Sequence, residues 1–336
     1  MRIAVDAMGG DSAPYEIVEG ALEARNRLGD VELLLAGVSE RVAPLLPAGS
    51  ADGVSVVHTS QVIDMQEPPV EAVRRKKDSS LRCIIEMVAD GRADAAVSAG
   101  NTGAMVAAAS MLLRPLEGCR RPGIAVKLPS ISGHTIAIDV GANITPRPFH
   151  LLQYAIMAQV FAREVLAVAR PRVGLLSIGA EREKGNDLVK AAHALMSEHV
   201  EDFMGNCEGH NIFTGNVDVV VCDGFTGNVV LKAVEGYSSY LVRNLIENIA
   251  RSIPSNHDRL RGLIIDFVAS NDYREYGGAP LLGIEAPVII SHGSSNATAI
   301  ANAIAVARDF AGQGVNALIT DALGKIRLAN HREEGR

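Results

Sequence analysis

The sequence predicts an α/β protein in three layers, a mostly parallel sheet between two layers of helices. Two observations carry that expectation. Short β-branched runs such as Val219–Val221 show no polar alternation, as strands buried on both faces do not. Each run then breaks at a polar, glycine-containing loop and resumes with apolar residues at helical spacing, the order of a strand-to-helix unit. The chain has 336 residues, 48% of them hydrophobic and 21% charged, enough for a large core. That length accommodates two ordinary domains or one large one. We read 1–336 as a single α/β/α domain with a helical hairpin excursion at about 236–272.

The elements follow in order. Ile3–Ala7 is a buried first strand ending in Asp6-Ala7-Met8-Gly9-Gly10-Asp11, with Asp11 or Ser12 available to cap a helix that has Pro14 in its first turn. Asp6, Gly9, Gly10 and Asp11 thus stand at the carboxyl end of a strand, where α/β proteins place ligands; a turn and a helix cap account for them equally well. Val31–Ala36 ends without the acidic residue a dinucleotide ribose needs, and the first loop is no GxGxxG. Val54–His58 is a third strand. The basic run Arg74, Arg75, Lys76 and Lys77 either ends a helix in solvent or faces a phosphate or acidic carrier.

Asp94–Ala99 leads into Gly100, Asn101, Thr102 and Gly103 and then a small-residue helix. Ile124–Leu128 and Thr135–Val140 read as neighbouring strands about Ser132-Gly133, the second ending in Asp139, Gly141 and Asn143. A long helix opens at Pro148. Arg172–Ile178 is followed by a loop holding Lys184, Gly185, Asn186 and Asp187, with Asn186 or Asp187 as the next cap. Lys184 stands where a phosphate-binding loop keeps its lysine, although the sequence is no Walker motif and a solvated lysine is equally at home there.

After Val219–Val221 come Asp223, Gly224, Phe225, Thr226, Gly227 and Asn228 and a helix from Asn228 to about Ala250. A strand, a glycine turn and a helix put backbone N–H groups at a helix N-terminus, which suits an anion as well as an ordinary cap. A second helix, about Asp258 to Ala269, completes the hairpin. Leu241, Leu245, Ile246 and Ile249 form one apolar stripe, and Leu260, Leu263, Ile264, Phe267 and Val268 another. The chain returns to the sheet at Val288–Ser291, whose exit loop holds His292, Gly293, Ser294, Ser295 and Asn296, and helices finish it.

Charge and composition exclude several classes. The net charge of −7 argues against a nucleic-acid partner. Four cysteines form no CxxC pair and nine histidines no HExxH, so no metal site is expected, nor any cofactor. Met1-Arg2-Ile3 runs straight into a strand and no apolar run spans a bilayer, so the expected location is cytoplasmic. The polar strand-end loops, with Lys184 and His292 as candidate cations, suit a phosphate beside a polarised carbonyl.

AVDAMGGDSAP, VRRKKDSS, SAGNTGA, DVGAN, KGND, VVVCDGFTGNVVLK, YGGAPLLG and SHGSS, in this order, resemble the PlsX family of phosphate acyltransferases from Arg2 to about Ala322. The resemblance implies that acyl-[acyl carrier protein] and inorganic phosphate become acyl phosphate and free acyl carrier protein, feeding phospholipid synthesis. It implies a fold similar to phosphotransacetylases and isopropylmalate-type dehydrogenases. It also implies a homodimer, with the hairpin near the interface and at the inner membrane surface, and a glycerol-phosphate acyltransferase downstream. Many relatives have Val for Cys207 and an acidic residue for Asn211.

Phosphate is already an oxyanion nucleophile, so such chemistry needs positioning, oxyanion stabilisation and a leaving thiolate rather than a Ser–His dyad. Lys184 is the candidate for neutralising the charge, Asn228 and the Thr226–Gly227 backbone for hydrogen bonding, and His292 for protonating the thiolate. Asp6 and Asp223 orient these donors. Asp139, Asn143, Asn186 and Ser294 complete the candidate substrate loops. A covalent route through Cys222 is the competitor, although a cysteine in a core strand is normally inert. A phosphotransacetylase-like enzyme using acyl-coenzyme A, or a non-catalytic membrane-docked scaffold, are the alternatives.

Overall fold

The computed structural model describes residues 1–47, 53–252, 260–264 and 277–333. Among the described residues eleven strands form one sheet: β1 (Arg2–Asp6), β2 (Glu32–Gly37), β3 (Val54–His58), β4 (Ala95–Ser98), β5 (Gly123–Ser130), β6 (Gly133–Ile138), β7 (Val173–Leu176), β8 (Phe203–Cys207), β9 (Val219–Val221), β10 (Ala279–Leu282) and β11 (Val288–Ile290). Their spatial order is β3-β2-β1-β4-β11-β10-β5-β6-β9-β7-β8. The unpatterned apolar runs have the cause inferred from sequence, because successive side chains enter opposite cores. Ile3 and Val5 of β1 and Val219 and Val221 of β9 join one core, while Ala4 and Val220 join the other. Burying a valine or isoleucine side chain fully is worth about 1.5–3 kcal/mol, and here both sheet faces gain it.

Helices cover both faces. On one lie α1 (Tyr15–Leu28), α6 (Pro148–Val165), α7 (Asp187–His199), α10 (Ala297–Gly312) and α11 (Val315–Glu333). On the other lie α4 (Ser80–Ala89), α5 (Thr102–Leu112), the short α8 (Asn211–Thr214) and the base of α9 (Gly224–Ser252). Short α2 (Ser39–Val42) and α3 (Pro69–Arg75) lie between these elements.

Strand direction decides where the site can be. β1, β2, β3, β4 and β11 run parallel, β10 is antiparallel to both β11 and β5, and β5 pairs antiparallel with β6. β6, β9, β7 and β8 are then parallel to one another but opposite to β1. The expected neighbouring strands about Ser132-Gly133 are a tight hairpin pairing Ser130 with Gly133.

Three sequence expectations are corrected. The chain rejoins the sheet at β10 rather than first at Val288; Pro280 is accommodated because β10 changes partner along its length, from β11 at Ala279 and Pro280 to β5 at Leu281 and Leu282. Phe203–Cys207 is a strand that was not anticipated, its apolar content being too slight to signal one. The strand expected to reach Ile178 stops at Leu176, leaving Ile178 exposed. The hairpin tip, including Phe267, Val268 and most of the expected second helix, lies outside the described residues.

Candidate active site

The polar strand-end loops fall into two interlocked sets. The first follows β1, β4 and β11. Asp6 is buried, and its carboxylate accepts the Met8 N–H at 3.1 Å and the Ser98 hydroxyl at 2.7 Å. Burial pushes its carboxyl up, while hydrogen bonds from Ser80, Ser98, Met8 and Gly9 pull the other way. A Cβ on Gly9 would stand 2.6 Å from Asp6 Oδ2 and 2.7 Å from the Gly100 nitrogen, so glycine is required for this close approach. Gly10 has a φ of +115°, and the Asp11 N–H donates to the Gly293 carbonyl at 2.7 Å, tying this loop to the one after β11.

Asn101 is fully engaged: its Oδ1 caps α5 by accepting the Ala104 N–H, and its Nδ2 donates to the carbonyls of Asp64, Met65 and Glu67. Thr102 and Gly103 form the first turn of α5, with Gly103 against Pro69. His292 and Ser294 contact each other, Nδ1 to hydroxyl, at 2.8 Å. In the basic run, Arg75 and Lys76 both bind Glu67, and Lys76 also donates to the Val62 carbonyl. Arg74 and Lys77 are exposed.

The second set follows β6, β7 and β9. Asp139 is buried and accepts the N–H groups of Gly141, Ala142 and Asn143 and the Asn143 side-chain amide; burial pushes its carboxyl up. Asp223 caps α9 by accepting the Phe225 and Thr226 N–H groups at 3.1 and 2.9 Å and the Thr226 hydroxyl at 2.7 Å. The two loops lock together, because the Gly224 N–H donates to the Asn143 carbonyl and a Cβ on Gly227 would collide with the Asp139 carbonyl. Asn228 lies exposed beside Gly141. On neighbouring β7, Asn186 caps α7 through the Val189 N–H at 2.9 Å, and Lys184 is exposed.

Lys184 and Asn228 therefore leave the same sheet edge from paired strands. The single cleft expected to hold His292 with them is not what strand direction gives: β11 runs opposite to β7 and β9, so His292 leaves the other edge of the hydrogen-bonded sheet. The side chains of Asn101, Asn186 and Asp223 are occupied as caps, the alternative the sequence left open for the last two. Cys222 is buried, its Sγ 3.4 Å from the Asp139 carbonyl oxygen, and burial drives its thiol well above the ordinary range; it is core, not nucleophile.

Sequence reasoning missed Asn206, buried at the end of β8, whose amide donates to the Glu181 carbonyl at 2.8 Å and so holds the Lys184 loop. An asparagine in a short stretch that reads as no strand gave no sequence signal for this role. Cys207 fills the space beside Gly174, and the Asn211 amide oxygen caps its own turn through the Glu208 N–H.

Described residues of both apolar stripes of the hairpin face one groove. Leu241, Leu245, Ile246, Leu260, Leu263 and Ile264 line one groove of about 1730 Å³ that reaches His292. Among the described residues no helix is long and apolar enough to cross a membrane, and no group of three or more His, Cys, Asp or Glu side chains could hold a metal.

Comparison with known proteins bears on the family and the fold. Residues 1–318 match the model of the family described as "Fatty acid synthesis protein". The chain is 46% identical to a phosphate acyltransferase of Halothermothrix orenii, over 97% of this chain and 99% of the other, and 46% identical to one of Geotalea uraniireducens, over 96% and 94%. Among solved structures it is similar to a phosphotransacetylase of Streptococcus pyogenes, with a TM-score of 0.59 at 20% identity over 94% of both chains, a likeness of fold. The full-length match and the level of identity place this chain in the fatty acid synthesis protein family, the PlsX family of phosphate acyltransferases.

Proposed function

We propose that the chain transfers the acyl group of acyl-[acyl carrier protein] to inorganic phosphate, releasing acyl phosphate and the carrier thiol. The observation that carries the reading is the shared edge of the Lys184 and Asn228 loops, on the paired strands β7 and β9. A phosphate oxygen attacks the thioester carbonyl, the carbonyl oxygen becomes an oxyanion, and the C–S bond breaks as the carbonyl re-forms. Lys184 neutralises charge on phosphate or oxyanion, and Asn228 with the first turn of α9 donates hydrogen bonds to it. Asp223 and Asp139 hold those donors in place by accepting the backbone N–H groups around them.

A thiol ionises near pH 8.5, so it leaves as thiolate without obligatory protonation, and the step tolerates a His292 on the other edge. We assign His292 and Ser294, with Asp6, Gly9, Gly10, Asp11 and Gly100 to Gly103, to holding the remainder of the substrate.

The chain 1–336 acts as one unit, in the cytoplasm, as a homodimer. Tyr237, Leu241 and Leu245 recur on one face of α9 and are 63%, 47% and 50% exposed, an apolar stripe suited to a second copy. The neighbouring Arg251 and Arg261 suit the anionic inner surface of a membrane, where a glycerol-phosphate acyltransferase would receive the product.

The test is thiol release from acyl carrier protein thioester and from acyl-coenzyme A, each with and without phosphate. Phosphate-dependent release from the carrier thioester is the expected result. Preference for acyl-coenzyme A would make the chain a phosphotransacetylase-like enzyme, and no release from either would leave a scaffold.

A further inference from the structure

The inference rests on the acyl-transfer reading and concerns where its phosphoryl oxygens are held. Between the end of α5, the segment Arg120–Pro122 and the Ala142–Asn143 loop lies a pocket of about 280 Å³, lined by Ser110, Arg120, Arg121, Asn143 and apolar residues. It abuts the proposed reaction edge, since the Asn143 carbonyl accepts the Gly224 N–H of α9 and a Cβ built on Gly141 would come within 3.8 Å of Asn228 Oδ1.

Arg120 and Arg121 line this pocket, and their charges, with that of Arg147, add to burial in pulling down the imidazole of buried His150 at the start of α6. Among the described residues none of the three makes an ion pair, in a chain of net charge −7 where nine other arginines do. Neighbouring guanidinium groups without an ion-paired carboxylate repel one another, an arrangement suited to an anion that arrives from solution.

The pocket walls are built rather than loose. Arg120 stacks its guanidinium 5.1 Å from the Phe149 ring centroid, and its backbone N–H donates to the Gln153 amide oxygen at 3.1 Å. Gln153 in turn donates to the Gly118 carbonyl. The Asn143 amide donates to the Pro122 carbonyl at 2.7 Å and to Asp139 at 3.0 Å, clamping one wall to the other.

We infer that Arg120 and Arg121 form a phosphoryl-oxygen site beside the Asn228 loop. The ligand chemistry is a phosphate oxyanion bound by guanidinium forks. It has two sources in the proposed reaction, inorganic phosphate itself or the phosphodiester on the carrier protein's prosthetic arm.

The experiment uses the full chain with Arg121→Gln and, separately, Arg120→Gln, the first being free of the Phe149 stacking that the second gives up. Inorganic phosphate alone is titrated by calorimetry, and Michaelis constants are measured for phosphate and for carrier thioester. A rise of about tenfold or more in the phosphate dissociation constant and its KM assigns the site to free phosphate. A similar rise confined to the carrier thioester KM assigns it to the arm. Unchanged phosphate affinity and unchanged KM for both substrates in both variants overturn the site while leaving the function standing. Absence of any thiol release from the unaltered chain sinks the function instead, and the phosphate titration then decides the site by itself: lost affinity in the variants supports it, and affinity absent or unchanged overturns it.

Discussion

Two glycines in α9 give a paired prediction, because the same Gly→Ala change meets opposite surroundings. A Cβ on Gly227 would collide with the Asp139 carbonyl oxygen and stand 2.8 Å from Cys222 Sγ and 3.0 Å from Val140 Cα. Relaxed contacts lie near 3.5–4.0 Å, so the first turn of α9 must retreat by roughly 0.7 Å from the sulfur and further from the carbonyl. Forcing a methyl into so tight a site costs about 1–3 kcal/mol. Asn228 is the next residue and moves with that turn, and a misplacement on the order of 1 Å costs about 10² in rate. Gly236, by contrast, has nothing within 4 Å of its Cβ position, and alanine there favours the helix by about 0.5–1 kcal/mol. Gly227→Ala should therefore lower both the guanidinium midpoint and thiol release, while Gly236→Ala raises the midpoint and leaves release alone. Wild-type stability and turnover in Gly227→Ala would refute the claim that this contact sets the position of Asn228.

Lys184→Ala and Asn228→Ala should each lower turnover by about 10²–10³, and the double variant by less than the product, because both act on one charge; near-normal thiol release by Lys184→Ala would remove it from the centre. Arg74→Glu with Lys77→Glu, the two basic-run residues not bound to Glu67, should raise the KM for carrier protein at low salt and lose that effect at high salt. An unaltered KM would reduce the run to a helix end. The Asp64 N–H and the Lys76 ammonium hold the Glu67 carboxyl at about 2. Its unfolded value is about 4.3, so it adds stability above that pH which is lost as pH falls toward about 2. Glu67→Gln should flatten acid unfolding in that window, and an unchanged pH profile would contradict it. Leu245→Glu with Leu263→Glu should shift the chain to monomer in light scattering or weaken liposome pelleting, and no change in either would remove the groove from association.

The layered fold was legible because its signal is local. A run such as Val219–Val221 faces two cores at once, and the glycine loop that follows marks the turn into a helix. Long-range pairing was not legible. Nothing within YGGAPLLG tells that Ala279–Leu282 inserts between β11 and β5, antiparallel to both, so that the net reversal of direction falls at the β5–β6 hairpin and His292 and Lys184 leave different edges. Residue types in the loops were readable, their occupancy less so. Asn101 and Asp223 look alike on paper as substrate ligands, yet both spend their oxygens on helix caps, which only the closure of the loop reveals. Arg120 and Arg121 passed unnoticed, since two arginines before a proline carry no pattern until α6 folds against them.

The 29 residues of α9 make it a lever as well as a scaffold. At 1.5 Å per residue the rod is about 43 Å long, so tilting it by about 5° sweeps its far end through almost 4 Å. Asn228 sits four residues from the fulcrum, about 6 Å along, and the same tilt carries it only about half an ångström. Whatever seats against the distal groove thus has a mechanical advantage of roughly seven over the proposed reaction edge: coarse docking at one end becomes fine adjustment at the other.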